Sequence, residues 1–203
     1  MFMIFLALII TCQAVYGIFQ LARRRLNSKD IQGKRKGKRK NPLKIILGEE
    51  KMKEFDYYIF IDCSEKLIGY FIIEGQKLRE LLPKISKFSH YRNLRHKHAY
   101  IQSIKKIIEK ERISSYFVKH KIREIRQNID VYLDVLEFIK KHENCIIFVS
   151  IDDGQYFKFK KMVQVADGGK TIVKKESELR KGTPEYQADL VLDTLLNIER
   201  LRK

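Results

Sequence analysis

The sequence predicts an α/β domain, a mixed sheet with flanking helices, set behind an N-terminal stretch of a different character. Three observations carry this. Residues 55–61 and 145–151 are apolar, aromatic and β-branched over the length of a buried strand, and acids follow both: Asp62 after the first, Asp152 and Asp153 after the second. Between them apolar residues recur at intervals of three and four and lead directly into the second run, an order that layers a helix on a sheet. The chain then closes on ADLVLDTLLNIERL, helical in spacing, with Asp189 near its start.

Composition narrows the class. With 203 residues, 44% of them hydrophobic, the chain has room for one core-forming domain plus an appendage, and wholesale disorder is excluded. A net charge of +17 calls for an anionic partner: nucleic acid, an anionic membrane leaflet or both. Ten Lys and Arg against one Asp fall within residues 23–40, so much of the excess sits in one short tail. Cys12, Cys63 and Cys145 are too few for a disulfide framework and lack zinc spacing; Cys63 and Cys145 read as small core hydrophobes.

Residues 1–22 carry no charged side chain and are long enough to cross a hydrocarbon core. A transmembrane helix is the reading, with a cleaved signal peptide or a misplaced start as rivals. RRR follows the apolar run instead of preceding it, so the positive-inside bias makes this a single-pass membrane protein whose folded domain lies on the cytoplasmic side. Residues 23–42 read as a basic disordered linker, attracted to anionic lipid headgroups or nucleic acid, or serving only as a topology signal. The folded domain spans residues 43–203.

Within that domain, residues 55–61 and 67–74 pair as an antiparallel hairpin across a three-residue polar connection. Leu78, Leu81, Leu82 and Ile85 give a helix that Pro83 kinks or stops. The segment HYRNLRHKHAY follows; Arg92, Arg95, His96, Lys97 and His98 make it the basic surface that meets phosphate, because no further ligands accompany the histidines at a metal-binding spacing. Residues 100–108 are helical, residues 113–118 form a short strand, and Ile122, Ile125, Ile129, Leu133, Leu136 and Ile139 mark one face of a long amphipathic helix. Asp152-Asp153-Gly154 is either turn chemistry or a carboxylate site at the end of a central strand. QYFKFKKMVQV fits strand alternation and a helical face equally. Asp167-Gly168-Gly169 is a turn, and residues 171–173 are a short strand. Thr183 and Pro184 cap the last helix, whose buried face is Leu190, Val191, Leu195, Ile198 and Leu201. Asp189 there either favours the helix dipole or ligates metal.

The order of strand ending in Asp, hairpin partner, helices, strand ending in Asp and terminal helix with an early Asp resembles the ribonuclease H-like fold. More narrowly, it resembles a family of small ribonuclease H-like domains with an early Asp-Glu-Ser-Gly and a late Leu-Gln-Leu-Ala-Asp-Leu motif. Ile61-Asp62-Cys63-Ser64 stands for the first, and Ser177 with Thr183–Leu190 (TPEYQADL) for the second; Cys63 replaces the family's Glu. The resemblance implies a metal-dependent nuclease acting on phosphodiester bonds by a two-metal mechanism. Asp62, Asp152 or Asp153, and Asp189 would hold Mg²⁺ or Mn²⁺, with a fourth acid among Glu80, Glu109 and Glu111. Arg92 to His98, with Lys158, Lys160 and Lys161, would guide RNA or DNA. The alternative is a non-catalytic module on the same scaffold that binds nucleic acid or anionic lipid.

Overall fold

Strand β1 (Tyr57–Cys63) forms because its alternate residues are apolar on both sides. Tyr58 and Phe60 point to one face of a sheet and Ile59 and Ile61 to the other, all buried. In this computed structural model residues 54–202 are described. The expected transmembrane helix, the basic linker and the first residues of the expected domain (43–53) lie outside the described residues. Among the described residues no helix is long and apolar enough to cross a membrane.

β2 (Leu67–Glu74) returns antiparallel to β1, β4 (Cys145–Ser150) lies parallel to β1 on its other side, and β5 (Ile172–Lys175) extends the sheet parallel to β4. β3 (Phe117–Glu124) pairs antiparallel with β2 at the far edge. The order β3-β2-β1-β4-β5, with β2 alone reversed, is a five-stranded mixed sheet. An aromatic row crosses it: Phe60 stands between Phe71 at 4.8 Å and Phe148 at 5.5 Å, and Phe71 stacks on Phe117 at 4.5 Å.

Helices cover both faces. On the side of Phe60 lie α1 (Gly75–Leu81), α2 (Lys97–Lys110) and α5 (Pro184–Arg200), through Leu78, Ile104, Val191 and Leu196. On the side of Ile61 lie α3 (Asn128–Ile139) and α4 (Asp153–Asp167), through Val131, Val135, Phe159 and Val163. The result is the mixed α/β architecture implied by the ribonuclease H-like resemblance. Two glycines set close approaches. A Cβ on Gly69 would stand 3.1 Å from Leu196 of α5, and one on Gly75 only 2.5 Å from the Phe55 carbonyl oxygen.

Several elements differ from expectation. Of residues 113–118 only Phe117 and Val118 are strand: Ile113–Tyr116 is a 3-10 turn and β3 starts at Phe117. The long helix expected from Ile122 begins only at Asn128, since Ile122 lies inside β3 and Ile125–Gln127 is a further 3-10 turn. The backbone of β2 needs a ladder partner on its outer side, and that requirement overrides helical spacing. The buried face of α3 also differs, being Val131, Tyr132, Val135, Phe138 and Ile139, whereas Ile129 and Leu133 are exposed. Five apolar positions bury more than the narrower stripe, and Asp134 fixes the orientation. Its carboxylate accepts from Lys119 at 3.0 Å, Lys121 at 2.6 Å and the Tyr70 hydroxyl at 3.1 Å. QYFKFKKMVQV resolves as helix α4, and the turn after it has Gly168 and Gly169 at φ of 71° and 84°. In α5 Thr183 caps as expected, its Oγ accepting from the Tyr186 N–H at 3.3 Å, while Leu201 is exposed and Leu196 takes the buried place.

Candidate metal and phosphate site

Period-two alternation carries Asp62 to the α5 side of the sheet, two residues beyond Phe60. Asp62 is in register with Ser150, the last residue of β4, and the Ser150 side chain hydrogen-bonds its carboxyl. The Cys63 N–H donates to Asp62 Oδ1 at 2.7 Å. Cys63 itself turns to the opposite face and packs beneath α3 and α4, where burial and then the charges of Asp62 and Asp152 push its thiol up to about 12.

β5 ends one strand further along, with Lys175 in register with Val149, so Glu176 comes beside Ser150 at the same end of the sheet. From above, α5 delivers Asp189, which is 4% exposed and has an Oδ1 without any hydrogen-bond partner. One turn later Asp193 is fully engaged. Its Oδ2 meets His90 Nδ1 and the Tyr91 N–H, both at 2.9 Å, and its Oδ1 accepts from Asn197 at 2.8 Å. Asp193 therefore clasps the 90–91 segment to α5.

These groups line one pocket of about 660 Å³, with Asp62, Glu176 and Asp189 set against Arg92, Lys97 and Arg200. The Tyr91 ring belongs to the cationic wall, with Lys97 Nζ 5.2 Å and Arg200 Cζ 5.4 Å from its centre. Burial first, then the charges of Glu176 and Asp193, push the Asp62 carboxyl up to about 7. Asp189 is raised well above the carboxylate range by burial, then by the charges of Glu176, Asp62 and Asp193. Among the described residues no three such side chains are drawn close enough to coordinate one ion as they stand. An oxygen-only donor set with an orphaned buried oxygen nonetheless has the chemistry of a hard divalent cation site.

The structure brings Asp62 and Asp189 together and gives Asp152 and Asp153 other partners. Asp152 is the N-cap of α4, accepting from the Gln155 N–H at 3.0 Å, and Asp153 is exposed and ion-paired with Lys175. Neither lines the pocket. Arg92 and Lys97 do line it, and Arg95, His96 and His98 are exposed in the same segment. Lys158 and Lys160 ride on α4, on the other side of the sheet. Glu80, Glu109 and Glu111 are also absent from the pocket wall; Glu111 pairs with Lys84 at 2.8 Å. Sequence reasoning missed Glu176, Tyr91 and Arg200. Glu176 comes only after two lysines that follow the β-branched run 171–173, so no apolar run leads into it as one leads into Asp62.

No family of known proteins and no curated protein matches the chain. It is similar in structure to the ribonuclease H2 of Pyrococcus horikoshii, at 12% identity and a TM-score of 0.44 over 72% of each chain. It is also similar to a structure of the PCNA:RNase HII complex from Archaeoglobus fulgidus, at 16% identity and a TM-score of 0.40 over 71% of this chain and 72% of that one.

Proposed function

We propose that the protein is a membrane-tethered, divalent-cation-dependent nuclease whose reaction takes place in the pocket of Asp62, Glu176 and Asp189. The observation that carries this reading is the buried, partnerless Oδ1 of Asp189 facing two further carboxyls. Leaving such an oxygen dry and unpaired costs about 1–3 kcal/mol, and more if it is charged, so the site calls for a proton or a cation. Asp62, Glu176 and Asp189 would hold Mg²⁺ or Mn²⁺. Held there, a divalent cation would supply Lewis-acid polarisation of a phosphoryl oxygen, and a pair would serve the in-line displacement expected of a two-metal mechanism.

The chain's own residues supply the rest. Arg92, Lys97 and Arg200 attract the phosphodiester backbone and neutralise its charge, and their juxtaposition with the acids suits a ligand that bridges cation and protein. His90, held through Nδ1 by Asp193, is fixed at the pocket wall. The N-terminal stretch supplies the tether.

A second reading has one observation in its favour. The strand neighbour of Asp62 is the neutral Ser150 and Cys63 is turned away, so two places beside Asp62 lack an acid, as suits a non-catalytic nucleic-acid- or lipid-binding module on this scaffold. End-labelled RNA, DNA and hybrid oligonucleotides incubated with the full chain and Mg²⁺ or Mn²⁺ separate the two. Under the nuclease reading they are cut, and Asp62→Asn or Asp189→Asn lowers the rate by about 100-fold or more while salt-sensitive binding persists. Binding without cleavage under either metal establishes the module instead.

A further inference from the structure

The layer of α3 and α4 presents to solvent a surface that folding of the domain leaves unused. Ile129 and Leu133 are 62% and 52% exposed, and Phe157 and Val165 are 66% and 79% exposed. At about 100° per residue, Ile129, Leu133, Leu136 and Lys140 fall on one stripe of α3. Across a groove from Leu136 stand Met162 and Val165 of α4, and the charged groups on that groove are Lys140, Lys158 and Lys161. Among the described residues no acid lines it; Asp130 and Glu137, the exposed acids of α3, lie off it.

This pairing of apolar groups with lysines selects among anionic partners. A nucleic acid backbone would satisfy the ammonium groups but offers no apolar phase to Phe157 and Val165. An anionic leaflet offers both, with headgroup phosphates at the depth that lysine stems reach and an acyl boundary beneath them. The sequence carries a second feature of the same kind, 22 uncharged residues followed by ten Lys and Arg within residues 23–40. We propose that the α3–α4 face is where the folded domain lies against an anionic lipid leaflet. Phe157, Val165 and Leu133 enter the acyl boundary, and Lys140, Lys158 and Lys161 meet the headgroups. The acidic pocket, on the α5 side of the sheet, then faces away from the bilayer, so a polyanion reaches it without approaching the like-charged lipid. The proposal shares the leaflet with the tether reading but none of its residues, so it can fail while the tether stands.

The sequence contains no tryptophan, so Phe157→Trp in the full chain, excited selectively over the tyrosines, is the single tryptophan and reports on this face, and Val118→Trp, 43% exposed on β3, is its counterpart elsewhere. With vesicles of phosphatidylcholine and phosphatidylserine, the Phe157→Trp emission shifts to the blue and is quenched by brominated acyl chains, while the Val118→Trp emission stays as in water. Vesicles of phosphatidylcholine alone give a weaker shift, and Lys140→Glu with Lys161→Glu removes it. A chain that sediments with vesicles while its Phe157→Trp emission stays as in water overturns the proposal and leaves the tether standing. Failure to sediment overturns both. An equal shift on neutral vesicles overturns the anionic assignment. A shift seen without lipid overturns the proposal in favour of a second copy, if it grows with protein concentration, or of cover by another segment of the chain, if it does not. A shift evoked only by an oligonucleotide transfers the face to nucleic acid.

Discussion

Asp62 and Asp189 are acids held where acids are hardest to ionise. The carboxyl of Asp62 is raised to about 7 by burial and by Glu176 and Asp193, so between about pH 4 and pH 7 the folded protein binds a proton that the unfolded chain releases. Stability conferred by this group is therefore greatest at low pH, falls as pH rises through that window, and is level above it. In chelator-treated protein, Tm should decline across the window, and Asp62→Asn should flatten the decline and raise Tm at pH 8. Asp189 is displaced in the same direction, so Asp189→Asn should also raise Tm at pH 8 without metal. Mn²⁺ should raise the Tm of the unaltered protein at pH 8 and release protons in calorimetry; in Asp189→Asn both responses should shrink. A Tm that ignores pH in the chelated protein would contradict this account of the site.

At the scale of elements, the instructive case is α3, whose exposed stripe has better helical spacing than some of its buried residues. If Val131, Val135 and Phe138 are the packed face, Phe138→Ala should cost about 3–5 kcal/mol in urea unfolding and Ile129→Lys less than about 0.5 kcal/mol. The opposite ranking would restore the stripe expected from spacing. Asp134 has its carboxyl lowered to about 2: burial alone would raise it, but Lys121, Lys119 and Tyr70 outweigh that. It holds α3 onto β3 and β2, and Asp134→Ala should cost about 1–3 kcal/mol at pH 7 by stranding the Tyr70 hydroxyl. At the junction of β2 and α1, Gly75 has no room for a methyl group beside the Phe55 carbonyl, so Gly75→Ala should lose about 1–3 kcal/mol.

For the whole molecule, the sheet divides two kinds of chemistry. Residues that end strands on the α5 side meet as an acidic pocket with a cationic wall, and the α3–α4 side carries lysines around an apolar groove. Charge reversal on the two sides should therefore separate. Lys97→Glu with Arg200→Glu should weaken oligonucleotide binding and reduce its salt slope by about one for each phosphate no longer neutralised. Lys140→Glu with Lys161→Glu should leave that slope unchanged.

Much of this was legible along the chain. The hairpin of β1 and β2, strand β4, the Thr183-Pro184 helix start and the prominence of Asp62 and Asp189 follow from local alternation, capping and apolar runs, which act over a few residues. Glu176, the release of Asp152 to a helix cap, the strand at residues 117–124 and the buried face of α3 depend on which strand needs a neighbour and which end of the sheet each loop reaches. Those are contacts between residues far apart in sequence, and no local pattern encodes them. Sequence alone determined that acids would close two buried strands; tertiary packing decided which acids share a pocket, because burial and repulsion act through space and only the folded sheet sets the distances.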